Sequence, residues 1–594
     1  MYSMPVAFLR RPAASALYAV TAALMPMGYG LKVFDGYRPY SVTVAFWEAY
    51  HDSTFVASPY TGSRHNRGCA VDLTLIDLAS GREVEMPTPF DAFTLAAGAH
   101  FGGASAAALA HRTLLQKVMT EHGFQILESE WWHFDFAGWR DFPVTDIPFE
   151  DLAGPVFYNV RDYGASGDGR TLDHKDINLA IDACARAGGG TVYFPAGTYL
   201  CGSIHLRSHV HLLIDAGATI LGGSTYDPAE EFPDSAYQDG GHTYFHNSLI
   251  WGEHLTDVSI TGKGRIDGGG LTKEDREVGE GSIGAGDKAI ALKLCSDVLI
   301  RDVTIVHGGH FAILLTGCDL VTLDNLTIDT NRDGIDLDGC TNSLVSHCRV
   351  NSPDDDAICP KSSYALGKPR ITENLVISDC QVSGFAEGSL VDGTLKPLDR
   401  GWSTGRIKFG TESNGGFRNC VVANCTFRNC QGLALEEVDG GTMDNIIVSN
   451  LVMENINGYP IYVTLGERNR GPYTSTHTGV ARNIYIRNVS VLNADSVSGI
   501  QLTGSPGHPL EHVELQNIWI QFAGGGTAEQ AARDFPELSH GYPEPGRLGI
   551  TPSYGLFARH VKGLLLDNVT FATLTPDQRP AVLTVDVTNL TTRP

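Results

Sequence analysis

The sequence contains no Cys-x-x-Cys pair among its twelve cysteines, which excludes both a zinc finger and an obvious disulfide framework. Cys420, Cys425 and Cys430 come nearest to a cluster, and in a strand-rich stretch they read as small buried apolar residues. No apolar run is long enough to span a bilayer. Positive charge is also scarce. Against 68 acidic residues there are only 43 lysines and arginines, and the resulting net charge of −25 argues against nucleic acid or an anionic membrane as partner.

At 594 residues the chain exceeds what one core supports, so two or more domains are expected. Its 67 glycines concentrate beyond residue 160, which points to an architecture of many tight turns. Residues 12–27, rich in Ala and Leu behind Arg10 and Arg11, loosely imitate a signal peptide. The helical spacing of Leu17, Val20 and Leu24, with Gly28, Gly30 and a strand-like Leu31-Lys32-Val33-Phe34 following, favours a helix–turn–strand unit instead. That reading favours the cytoplasm over the periplasm.

Two textures meet near residue 153, giving expected domains of 1–153 and 154–594. In the first, a helix is predicted over 109–122 and a strand over 124–127. The second opens with a polar turn over 163–169 and a helix over 175–186, ended by Gly188-Gly189-Gly190. Beyond it one phrase returns: apolar, any, Asp or Asn, apolar or Cys, any, apolar. Early copies centre on Asp302, Asn325 and His347, a spacing of 23 and then 22 residues; later ones centre on Asp379, Asn424, Asn450, Asn488, Asn517 and Asn568. That period suits one solenoid coil of three short strands, with longer loops inserted later. Leucine-rich repeats need leucine-dominated positions and helices, and propellers need a period near 40. A parallel β-helix fits better.

Ser63-Arg64-His65-Asn66-Arg67-Gly68-Cys69-Ala70-Val71-Asp72 and Glu130-Trp131-Trp132-His133 together offer two imidazoles, one carboxylate ligand and a spare carboxylate. Three ligands with an open position is the catalytic arrangement of Zn²⁺. Glu130, three residues before His133, is then placed to take a proton from an activated water. Arg38 supplies a fixed cation for an oxyanion or a substrate carboxylate. Singly, each residue has a bland reading as a turn cap or a surface pair.

In combination they resemble the D-alanyl-D-alanine dipeptidase family, with further matching phrases at Phe8 to Ala14, Phe34 to Pro39, Glu85 to Asp91 and Ile147 to Leu152. The resemblance implies that His65, Asp72 and His133 hold one Zn²⁺. It also implies that Glu130 is the general base, that Arg38 stabilises the transition state, and that D-Ala-D-Ala dipeptide is the substrate. Members of that family carry some tens of residues ahead of the phrase matching Phe8 to Ala14, so the domain is expected to be N-terminally shortened.

Further along, Asn331-Arg332-Asp333-Gly334-Ile335-Asp336-Leu337-Asp338 and Asp354-Asp355-Asp356 lie about one coil apart, which would stack Asp333 beside the Asp355–Asp356 pair. Like charges held close raise one another's pKa and leave one carboxyl as acid and another as base, the equipment of glycoside hydrolysis. Turn-forming or calcium-binding aspartates are the rival reading, and Asp336 and Asp338 are expected to be structural. This half resembles glycoside hydrolase family 28, the polygalacturonases, on Asn331-Arg332-Asp333-Gly334, on Asp355-Asp356 and on its opening phrases at 157–165 and 189–199. The resemblance implies a right-handed parallel β-helix and inverting hydrolysis, with Asp355 as acid and Asp333 and Asp356 activating water.

Two departures bear on substrate. Residues 402–411 hold no histidine where the family has Gly-His-Gly, and the position of its Arg-Ile-Lys reads Gly432-Leu433-Ala434-Leu435-Glu436-Glu437. Arg406-Ile407-Lys408 occurs one coil early; its two cations share a strand face and are expected to bind a substrate carboxylate. The expected fold is thus a small α+β zinc peptidase-like domain followed by the β-helix. The expected function is a bifunctional hydrolase acting on D-Ala-D-Ala and on an atypical pectic or other acidic oligosaccharide. A structural remnant in place of an active zinc domain, and a non-catalytic glycan-binding β-helix, are the alternatives.

Overall fold

The computed structural model describes residues 6–51, 57–58, 60–92, 94–152, 157–227, 245–269, 271, 287–471, 477–495, 499–537, 540–544 and 548–594. The chain divides into two compact units, Met1–Val156 and Phe157–Pro594. The expected junction at 153/154 lies outside the described residues.

In the first unit an antiparallel sheet runs in the order Tyr29–Asp35, Ala70–Asp77, Glu130–Phe136, Phe124–Leu127, with Arg82–Glu83 pairing on Ala70–Asp77. The strand Ala70–Asp77 alternates: Val71, Leu73 and Leu75 face a core shared with Val20, Leu24, Leu115, Val118 and Met119. The period of two therefore turns Asp72 to the opposite face. Register pairs Asp72 with His133 and Val71 with Phe134, so the neighbouring strand presents its histidine beside that aspartate. The helix Arg11–Leu24 is the expected first helix, and it buries Ala13, Val20 and Leu24. The predicted 109–122 helix is Ala106–Glu121, starting three residues earlier because the Ser105 side chain accepts from Ala108 N at 3.1 Å as its N-cap. No helix among the described residues is long and apolar enough to cross a membrane.

The second unit is a right-handed parallel β-helix. The helix His174–Arg186 buries Ile177, Ala180, Ile181 and Cys184 in the same core as the first coils. The repeated phrase now has a physical meaning. Its first apolar position forms one continuous inward stack in register, from Ile300 to Leu323, Val345, Ile377 and on to Leu566. Its Asp, Asn or His position is left-handed in every copy, from Asp302 at φ 69° to Asn568 at φ 52°. Asn and Asp tolerate that backbone better than other residues with a Cβ, which is why the turn between strands selects them. The side chains also bond from coil to coil: Asn450 donates to Asn424 at 2.9 Å, Asn488 to Asn450 at 3.0 Å and Asn517 to Asn488 at 3.0 Å. All twelve cysteines are unpaired and buried, Cys420, Cys425 and Cys430 among them as their apolar reading expected.

Replacing Asn488 by Ala should lower stability by about 2 kcal/mol, since left-handed backbone costs a residue with a Cβ about 1–2 kcal/mol and each ladder bond contributes about 0.5–1.5. Asn488→Gly should recover the backbone part but not the bonds. Urea unfolding of the three proteins measures this, and coincident midpoints would show that the ladder contributes nothing.

Candidate active sites

In the first unit the one-turn helix His65–Arg67 leads into the strand Ala70–Asp77, which brings His65 over Asp72 and His133. His65 Nε2 lies 3.2 Å from His133 Nδ1 and 3.4 Å from Asp72, and His133 Nδ1 lies 2.9 Å from Asp72. The outer ring nitrogens decide what the inner ones present. His65 Nδ1 meets the Gly36 carbonyl at 2.6 Å, and a carbonyl only accepts, so that nitrogen carries the proton. His133 Nε2 meets Asp135 at 3.1 Å, and Asp135 is anchored by Arg64 at 2.7 Å. His65 Nε2 therefore turns a lone pair inward, whereas His133, set between the Asp72 and Asp135 carboxylates, donates from both ring nitrogens and gives up the inner proton when a cation takes its place. One donor atom from each of the three buried side chains falls within 4.8 Å of the others, which suits a divalent cation and fits Zn²⁺ chemistry.

Glu130 opens the strand Glu130–Phe136, with its carboxylate 4.0 Å from His133 Nδ1. Burial pushes its carboxyl up to about 6, a rise that His133 opposes and Asp72 assists. Arg38 is held by Asp35 at 2.6 Å and lies over the Phe46 ring. Arg38 N donates to the carbonyl of the site residue His65 at 3.1 Å, so Arg38 borders the same site. Asp135, Arg64 and Asp35 were missed from sequence. The alternation of Glu130-Trp131-Trp132-His133-Phe134-Asp135 on one strand was the available signal for Asp135.

In the β-helix, the turn ahead of Ile358–Lys361 stacks one coil above the start of Asp333–Asp338, as expected. Gly334 N donates to the Asp356 carbonyl and Asp356 N to Asp333 Oδ1, both at 3.0 Å. Gly334 permits that approach, because a Cβ there would meet Ala357 O at 2.5 Å. One oxygen each from Asp333, Asp355 and Asp356 lie within 4.8 Å of one another. Their neighbours differ sharply. Asp333 meets the Lys361 ammonium at 3.2 Å, and Lys361 also meets Asp336 at 2.9 Å. Burial opposes charge on Asp356, but Lys408 at 2.5 Å and Arg406 at 2.9 Å hold it down at about 2. Asp355 is 26% exposed and meets Arg332 at 2.8 Å. Burial, with Asp333 and Asp356 alongside, pushes it up to about 7. One carboxyl is thus kept protonated near neutrality beside an ionised one, the division of labour that acid–base catalysis needs. With ammonium or guanidinium groups already on all three aspartates, the cluster is poorly suited to a divalent cation. Asp336 and Asp338 serve the frame: Asp338 accepts from Ser363 N at 2.7 Å and Ser363 Oγ at 2.5 Å.

Arg406 and Lys408 share a strand face, but they do not present open cations. Their side chains are 4% and 5% exposed and both engage Asp356. Glu544 meets Arg406 at 3.3 Å, and the Tyr542 ring covers Lys408, whose ammonium lies 5.9 Å from the ring centre. The expected carboxylate-binding role therefore gives way to one of fixing Asp356. Lys361, Tyr542 and Glu544 carried no signal in the sequence.

Residues 2–147 match the family described as D-Ala-D-Ala dipeptidase, and residues 157–384 the family described as rhamnogalacturonase A/epimerase, pectate lyase-like. A D-alanyl-D-alanine dipeptidase of Escherichia coli is 32% identical over 160 residues, 27% of this chain and 82% of that protein. A probable polygalacturonase of Vitis vinifera is 26% identical over 388 residues, 61% of this chain and 74% of that protein. Among solved structures, a family 28 exopolygalacturonase of Yersinia enterocolitica superposes with TM-score 0.55 at 17% identity, covering 76% of this chain and 79% of that one. At that identity the likeness speaks for the fold.

Orientation of His133 through Asp135 is testable in the holoprotein. Asp135→Ala should weaken zinc binding about 10–100-fold in a chelator competition, and His133→Ala should remove it. Unchanged affinity in Asp135→Ala would mean that the outer hydrogen bond does not orient the ring.

Proposed function

We propose, from a chain whose N-terminal domain belongs to the D-alanyl-D-alanine dipeptidase family and whose C-terminal domain is a polygalacturonase-like right-handed parallel β-helix, that both domains are catalytic hydrolases. The first cleaves D-Ala-D-Ala dipeptide and the second cleaves glycosidic bonds in a pectic glycan. The observation that carries the reading is the donor set of the first site, where two inner imidazole nitrogens and a carboxylate converge because Gly36 and Asp135 engage the outer nitrogens.

His65, Asp72 and His133 are the residues to hold zinc, which when bound lowers the pKa of water and polarises a carbonyl. Glu130 accepts the proton of the attacking water and returns it to the leaving amine; its raised pKa suits both halves of that task. Arg38, immobilised by Asp35, offers its cation to the developing oxyanion.

In the β-helix, Asp355 donates its proton to the departing glycosidic oxygen. Asp333 and Asp356 orient the water, and Asp333 takes its proton. The three carboxyls are closer than the roughly 6.5–9.5 Å usual for inverting pairs. Inversion is nonetheless favoured because Asp356 has both oxygens engaged by Arg406 and Lys408, which makes it a weak nucleophile.

Glu130→Ala should reduce D-Ala-D-Ala cleavage by about 10²–10⁴-fold while leaving zinc stoichiometry at one per chain. Metal-free, inactive parent protein would remove the first activity.

Asp355→Asn should reduce reducing-sugar release from pectic substrates by a similar factor, and full activity in that variant would refute its role. Because the acid must be protonated, kcat should be full below pH about 7 and fall tenfold per unit above it. NMR of the first-released anomer reads the stereochemistry; retention would make one aspartate a nucleophile.

A further inference from the structure

The glycan site lacks what an acidic sugar would require at the point of cleavage, and has what an uncharged one would use. Among the described residues, each cation bordering the three aspartates is already matched by a carboxylate. Arg332 meets Asp355, Lys361 lies between Asp333 and Asp336, and Arg406 and Lys408 meet Asp356. The last two are also out of reach: Glu544 pairs with Arg406, and the Tyr542 hydroxyl accepts from Thr411 at 2.9 Å and from Lys408 at 3.5 Å. A uronate carboxylate arriving here would be desolvated among carboxylates with no cation to receive it, an arrangement that strongly opposes binding.

Trp402 is the contrasting feature. It is 54% exposed on a chain whose large aromatics are mostly inside. Its segment runs directly beside the acid, with Thr404 N donating to the Pro353 carbonyl at 2.9 Å and Gly405 N to the Asp355 carbonyl at 2.8 Å. The ring is also braced. The Arg400 guanidinium lies 4.1 Å from its centre, donates to the Trp402 carbonyl at 2.9 Å and to the Pro353 carbonyl at 3.0 Å, and pairs with Asp354. These contacts fix the ring against the turn that carries the acid, with Arg400 over one indole face and the residue still half exposed. An exposed indole face is electron-rich and apolar, and it complements the C–H face of a pyranose, which needs no charge to stack.

We propose that the sugar whose glycosidic bond is cleaved is uncharged, neutral or esterified, and is held next to Asp355 by stacking on Trp402. This rests on Asp355 being the acid of the β-helix. Specificity would then lie in an aromatic platform, with Arg406 and Lys408 positioning Asp356 from behind the Tyr542–Glu544 cover. Acidic residues elsewhere along a pectic chain remain compatible with this.

The test compares three oligosaccharide sets of equal length: oligogalacturonates, the same oligomers fully methyl-esterified, and pectic oligomers in which neutral and uronic residues alternate. Binding is measured calorimetrically in Asp355→Asn, and turnover in the parent. Esterified or alternating oligomers should bind at least tenfold more tightly than free oligogalacturonates. In the otherwise unaltered enzyme, Trp402→Ala should raise KM ten- to a hundredfold with kcat nearly unchanged, and Trp402→Phe should retain most of the affinity. Preference for free oligogalacturonates, or a KM indifferent to Trp402→Ala, would overturn the proposal. Failure of the acid assignment has a different signature: Asp355→Asn would keep its turnover while the binding preference stood.

Discussion

Consecutive coils of a parallel β-helix stack in register about 4.8 Å apart, and the glycan site depends on that constraint. Asp333 and Asp356 are 23 residues apart in sequence, yet a backbone N–H of one coil donates to a side chain of the last. The inward apolar stack and the left-handed Asn and Asp turns hold the register, so slippage by one residue would turn the strand residue Asp333 to the other face and lose its alignment with the turn that carries Asp355 and Asp356. The repeat that makes the fold is thus also what sets the acid beside the base.

Stacking charged residues in this way creates a problem of compensation. Asp336, Glu436 and Glu437 are wholly buried, and burial raises the carboxyl of Glu436 to about 7. The ions that balance such a set come from neighbouring rungs: Lys361 from one coil, Arg406 and Lys408 from the next. Removing any of them would strip a buried carboxylate of a balancing charge, which is far more destabilising than the pair is stabilising. The cost of that arrangement is that cations so engaged are poor at receiving a further anion.

The sequence carried the solenoid period, the helix Arg11–Leu24 and the convergence of His65, Asp72 and His133, because each follows from local periodicity or from a tight motif. It also carried the stacking of Asp333 on Asp355 and Asp356, since one coil is a countable number of residues. It could not carry the state of Arg406 and Lys408. Their exposure is decided by Tyr542 and Glu544, which lie 134 and 138 residues further along in a segment without the repeat. Lys361 was equally silent, because a lysine directly after a Cys-Pro step has no pattern that distinguishes a buried ion partner from a solvated one. Periodicity reports which face a strand residue occupies, but not what a distant loop lays over that face.

The two sites reach reactivity by one physical route despite unrelated folds. In the zinc-type site a carbonyl and a carboxylate take the outer nitrogens of His65 and His133, which leaves the inner nitrogens with a single direction to point. In the β-helix, Arg406 and Lys408 take both oxygens of Asp356, which leaves Asp355 as the carboxyl whose proton state remains open near neutrality. In each case the reactive group is defined by how completely its neighbours are satisfied. The partners that do the satisfying, Asp135 and Lys408 above all, should therefore be as intolerant of substitution as the residues that touch substrate, although neither need ever contact it.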